Sequence, residues 1–146
     1  MDCCSVTFGG FLAGTWYEEL LRKVGPVPPV RPLLLCVEDD AIYLMLRKAF
    51  LEQSGYNVIG ATTAEDALEM LREAPVCATI TDHFLHGTTG AKLAREMKKI
   101  KPDVPIILYS GTVPDKLLGA DVFINKNETV QGFLRIVGEV VERYRS

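Results

Sequence analysis

The chain has 146 residues, 48% of them hydrophobic and 24% charged, which is enough apolar material for one domain with a real core. A formal net charge of −3 offers no basic face for nucleic acid. The apolar start, residues 5 to 17, has no basic residue before it and is too short and glycine-broken to span a bilayer, so neither signal peptide nor membrane anchor is expected.

Residues 1–31 read as an N-terminal extension. Thr15 and Glu18 have the spacing of a capping box, in which each side chain satisfies the other's free backbone amide. The helix they open would carry Leu20, Leu21 and Val24 and stop at Gly25-Pro26. The proline-rich run from Pro26 to Pro32 then favours a stiff, extended linker. The extension is either a docking helix or a loosely held tail.

From residue 32 strand and helix alternate. Leu33 to Val37 is uniformly apolar, as a strand covered on both faces should be, and runs into Glu38-Asp39-Asp40. The next helix is expected to turn Ile42, Met45, Leu46, Ala49 and Phe50 inward and to end at Ser54-Gly55. Tyr56 to Gly60 reads as a second strand. Thr62 and Glu65 suit a capping box for a helix with Ala64, Ala67, Leu68 and Leu71 inward. A β-branched run then ends at Asp82, breaks into a turn-rich loop and resumes as a helix with Leu93, Ala94 and Met97. Val104 to Tyr109 is a fourth strand, ending at Ser110-Gly111, and a short fifth leads to Lys126. The last helix repeats Val130, Phe133, Leu134, Val137, Val141 and Tyr144 at nearly 3.6 residues. Such alternation argues a doubly wound parallel sheet, whose functional groups sit beyond the carboxyl ends of the strands. The crossover from Gly111 to Ala120 is too short for a proper helix and leaves room for one turn over Asp115 to Leu118.

Four cysteines, at 3, 4, 36 and 77, lack metal-ligand spacing. Cys36 and Cys77 fall at opposite ends of their strands and are poorly placed to pair, so reduced thiols in a cytoplasmic protein are expected.

Glu38, Asp39, Asp82, Ser110 and Lys126 thus stand at four strand ends. Val37-Glu38-Asp39-Asp40, Asp82, Tyr109-Ser110-Gly111 and Gly119 to Lys126 together resemble the receiver domain of two-component response regulators over residues 32–146. The resemblance implies a flavodoxin-like (βα)5 fold of strand order 2-1-3-4-5, here with a shortened fourth crossover. It implies Asp82 as phosphoacceptor, Ser110 and Lys126 as catalytic partners, and Ser110 with Phe123 as the switch pair. Glu38, Asp39, Asp82 and the backbone carbonyl of Phe84 would hold Mg2+, which relieves the repulsion among crowded carboxylates.

Asn127 follows Lys126, where the family commonly has proline, and His86 replaces another common proline. His83 should aim away from Asp82, because neighbours on a strand face opposite ways. Phe123 lacks the hydroxyl of a tyrosine, which would favour an inward ring.

The implied partner is a sensor histidine kinase or histidine phosphotransfer protein, with an unknown downstream protein target and neither nucleic acid nor membrane. With no residues beyond Ser146 for an output domain, a stand-alone regulator that phosphorylates itself, rather than an enzyme acting on others, is expected. Two alternatives remain. One is a pseudo-receiver that works by phosphorylation-independent contact. The other is a small metal-dependent aspartyl-phosphate phosphatase, which would want an acid two residues after Asp82, where Phe84 stands.

Overall fold

A computed structural model describes residues 13–24 and 30–144. Within it, α1 (Ala13–Val24) precedes an alternating core. The core runs β1 (Leu33–Val37), α2 (Ala41–Gln53), β2 (Asn57–Ala61), α3 (Ala64–Glu73), β3 (Ala78–Asp82), β4 (Phe84–Leu85), β5 (Thr88–Thr89), α4 (Gly90–Ile100), β6 (Ile106–Ser110), β7 (Val122–Asn125) and α5 (Val130–Arg143). Five strands form one parallel sheet in the order β2-β1-β3-β6-β7. Counting only these strands, the order is the expected 2-1-3-4-5. The antiparallel ribbon β4-β5 was not foreseen, each strand being two residues long.

Alternation along β1 shows how the sheet divides the core. Leu34 and Cys36 face one apolar cluster with Phe133 and Val137 of α5, while Leu35 and Val37 face the other with Leu71 of α3 and Met97 of α4. Helix starts are fixed by side chains that accept otherwise orphaned amides: Asp40 for α2, Thr63 for α3, Thr89 for α4 and Thr129 for α5. The α3 cap is therefore Thr63, one residue past the expected Thr62, because its oxygen reaches the Asp66 amide. Helix α1 begins at Ala13, which puts Thr15 in its first turn instead of at the cap. The expected stop and most of the linker, residues 25–29, lie outside the described residues, as do Cys3 and Cys4. The linker's end is tied down where the Arg31 guanidinium donates to the Glu52 carbonyl.

Helix α2 turns differently from expectation. Ile42, Met45, Leu46 and Phe50 are exposed, at 67%, 66%, 51% and 43%, and Ala49 is exposed as well. The face on the sheet is Leu44, Arg47 and Leu51. A helix apolar on nearly every side gives its period no power to select a face, and Arg47 points inward because an acid waits there.

No helix forms between Ser110 and Val122. The expected turn over Asp115 to Leu118 is absent, and Leu118 adopts φ of 54°, a left-handed conformation unusual for a bulky residue. Gly119 lies so close to α4 that a Cβ would stand 2.6 Å from the Ala94 backbone. The strap is clamped beyond that point. Asp121 donates its amide to the Ile106 carbonyl, accepts the Ile106 amide on its carboxylate at 2.8 Å, and pairs with Lys98 at 2.6 Å.

Cys36 is free and buried, and burial pushes its thiol up to about 12, so it is an inert core residue. Cys77 is disulfide-bonded, so the expectation of reduced thiols fails for it and holds for Cys36. Among the described residues no helix is long and apolar enough to cross a membrane.

Candidate functional site

The acids gather because parallel strands β1 and β3 are neighbours and both end at the same edge. Val37 pairs with Thr81, which places Glu38 beside Asp82. Glu38, Asp39 and Asp82 each offer a carboxylate oxygen within 4.8 Å of the others. Glu38 and Asp82 are buried, Asp39 is half-buried, and Asp40 is turned away to cap α2. The donor set is all oxygen and crowds three carboxyl groups into one pocket, which fits a hard divalent cation such as Mg2+. Phe84 follows in β4 with its ring 62% exposed and edge-on to His83, so that ring takes no part in the cluster.

Two cations balance the acids. Lys126 Nζ lies 3.1 Å from Asp82 Oδ2 and 3.9 Å from Glu38 Oε2. Its approach does not need a proline at 127. The turn is closed by the Asn127 amide donating to the Asn125 side chain at 2.8 Å, and the Lys126 amide donates to the Ser110 carbonyl. Arg47 Nη2 donates to Glu38 Oε2 at 3.2 Å, with its guanidinium 4.7 Å from the Tyr109 ring centroid.

Ser110 is fully buried at the end of β6, and its Oγ accepts the Thr112 amide at 3.3 Å. Gly111, next in the chain, faces open space. Phe123 is half-buried opposite Leu108, two residue pairs back from Ser110, which pairs with Asn125.

Three contacts escaped the sequence reading. Arg47 was hidden in a helix apolar on nearly every side, where no spacing separates the inward face from the outward one. His86 is exposed in the loop after β4, yet its Nδ1 lies 2.8 Å from Asp39 Oδ2. His83 contributes main chain: its amide donates to Asp82 Oδ1 at 2.8 Å.

Glu38 is pushed up to about 7, first by burial, then by the hydrogen bond and charge it shares with Asp82, against the opposing pull of the Asp40 amide and Arg47. The folded protein therefore holds a proton on Glu38 that the unfolded chain releases near its ordinary value of 4.5. Stability of the metal-free protein should fall as pH rises from about 4.5 to 7, by about 3 kcal/mol at most. Urea denaturation in chelator at pH 5 and pH 8 measures the loss. Glu38→Gln should flatten it, and an unchanged difference in that variant would place its origin elsewhere.

A family model described as the response regulator receiver domain matches residues 34–136. The transcriptional regulatory protein GlrR of Escherichia coli (strain K12) is 27% identical over 116 residues, covering 75% of this chain and 26% of that protein. The aerobic respiration control protein ArcA of the same strain is 31% identical over 93 residues, 62% of this chain and 39% of that protein. This chain thus spans between 26% and 39% of the length of these relatives. Among solved structures, a receiver domain protein (CheY-like) from Methanospirillum hungatei JF-1 is similar at 25% identity, with a TM-score of 0.73 over 78% of this chain and 96% of that one. The Vibrio cholerae chemotaxis protein CheY4 shares the fold at 19% identity, with a TM-score of 0.70 over 75% of this chain and 98% of its own.

Proposed function

Because this chain belongs to the response regulator receiver domain family, we propose that Asp82 accepts a phosphoryl group from the phosphohistidine of a sensor histidine kinase or histidine phosphotransfer protein. Residues 32–146 are the receiver, and residues 1–31 an extension and linker. The observation that carries this reading is the Lys126 ammonium 3.1 Å from Asp82 Oδ2, beside Glu38 and Asp39.

An Asp82 carboxylate oxygen forms the new bond to phosphorus as the bond to the donor's imidazole nitrogen breaks, and the imidazole leaves with the electron pair. The transition state spreads charge over three equatorial oxygens, so positioned cations and donors supply most of the acceleration. Lys126 holds one of those oxygens and the Ser110 hydroxyl donates to another. The His83 amide fixes the rotation of the Asp82 carboxylate through Oδ1, leaving Oδ2 to react. Gly111 keeps the approach open above Ser110. Glu38, Asp39, Asp82 and the Phe84 carbonyl are the residues that would hold Mg2+, which when bound supplies charge neutralisation between acceptor and donor. Ser110 and Phe123 form the switch pair. The curated relatives are longer proteins named as regulators, so the output proposed here is contact between the phosphorylated receiver and a protein, in the same polypeptide or another, or onward transfer to a histidine.

Acetyl phosphate with magnesium should add one phosphoryl group per chain by intact mass, and hydroxylamine should remove it, as it does from acyl phosphates. No addition would overturn the acceptor reading. That result would favour a phosphorylation-independent contact module, a reading that draws on one observation: Arg47 and Lys126 already oppose two of the three carboxylates.

A further inference from the structure

Arg47 is the cation that the proposed chemistry leaves unused. It is 9% exposed, lies beneath the acidic pocket and belongs to a helix whose other inward residues are apolar. Its contact with Glu38 is single-pronged: Nη2 reaches Oε2 at 3.2 Å, while Nη1 is buried without a partner. The other Glu38 oxygen, Oε1, accepts the Asp40 amide at 3.2 Å. The guanidinium is packed over the Tyr109 ring, which Phe133 backs at 4.9 Å between centroids. Lys126 is 36% exposed and sits at the mouth. The site thus has one part-exposed cation, Lys126, and one buried cation, Arg47.

We propose that Arg47 is a permanent internal countercation that competes with the divalent cation for the charge of Glu38, so that the pocket binds magnesium more weakly than its three carboxylates would alone. This rests on the metal site proposed above. A fixed positive charge a few ångströms from the site lowers the potential that attracts a second cation, and burial keeps that repulsion from being screened. It also keeps the metal-free acids from repelling one another apart. The consequence is a folded site that is ready when empty and loads metal reversibly.

Calorimetric titration of magnesium at pH 9 into the native protein, Arg47→Met, Arg47→Lys and Asp39→Asn tests this. At that pH Glu38 carries its charge in native protein and variants alike, and protons compete less with the metal. Arg47→Met removes the charge and keeps an unbranched apolar stem, so it should bind magnesium about tenfold more tightly. Arg47→Lys keeps the charge and should stay within about twofold of native. If Arg47→Met binds equally or more weakly while Asp39→Asn loses binding, the competition is overturned and the metal site stands. If the native protein binds no magnesium, the metal site itself falls, and the competition with it. Circular dichroism verifies the fold of each variant, and Arg47→Gln replaces Arg47→Met should the latter fail to fold.

Discussion

Asp82→Asn should abolish phosphoryl addition from acetyl phosphate while leaving the fold intact. The amide nearly matches the carboxylate in shape but is a poor nucleophile, so the acceptor is lost without a change in volume. Its oxygen can still accept the His83 amide at the position of Oδ1. Its nitrogen then faces Lys126, a donor against a donor, and the 3.1 Å ion pair is gone. Against that loss, Glu38 is freed of the buried like charge that helps raise its pKa. The two effects oppose each other, so stability should stay within about 1 kcal/mol of native. Intact mass after incubation with the donor reads the chemistry, and urea denaturation reads the stability. An undiminished phosphoryl yield would move the acceptor away from Asp82.

Gly90→Ala should be the more damaging change to the fold. Gly90 opens α4 directly beneath the site, donating its amide to the His83 carbonyl. A Cβ there would stand 2.2 Å from the Asp82 carbonyl oxygen and 2.6 Å from Leu108 Cδ1. The leucine can shift, but the carbonyl is held in the sheet, so α4 must move away from β3. The expected cost is about 3 kcal/mol or more in urea denaturation, at the upper end for overpacking. Phosphoryl yield should fall with it, since the displaced backbone is that of Asp82. Gly111→Ala is the control: its Cβ would meet nothing within 4 Å, and it should be neutral in stability. Equal stabilities for the two variants would mean that α4 does not seat against β3 as described.

Legibility followed the kind of constraint at each position. Strand β1 was plain in the sequence because a strand buried on both faces tends to be apolar throughout, and β3 because a β-branched run ends there in a single carboxylate. From that, the strand order put Glu38 and Asp82 together, and Lys126 falls beside them. The face of α2 was not legible, since Ile42, Met45, Leu46 and Phe50 are as apolar as Leu44 and Leu51. What orients that helix is a polar pair, Arg47 with Glu38, whose partners are nine residues apart and meet only in the folded chain. The β4-β5 ribbon is held by two residue pairs, Phe84 with Thr89 and Leu85 with Thr88, too few for any periodicity to mark. The short crossover was visible as a shortage of residues. That the shortage leaves no helical turn is a consequence of Gly119 seating on the α4 backbone and Leu118 turning left-handed, which are tertiary facts.

That crossover also makes the molecule open to instrumentation. Residues 111 to 113 and 115 to 118 are exposed, while Ser110 at one end and Asp121 at the other are held in place. Added residues are best tolerated where the backbone is exposed and its ends are already fixed, and doubling a loop's length costs only about 0.6 kcal/mol in closure entropy. A fluorophore-bearing peptide spliced between Asp115 and Lys116 would therefore ride on a strap rooted at Ser110, five residues from the buried hydroxyl, without touching the sheet. A rigid helix in that place would have had to be cut to accept it.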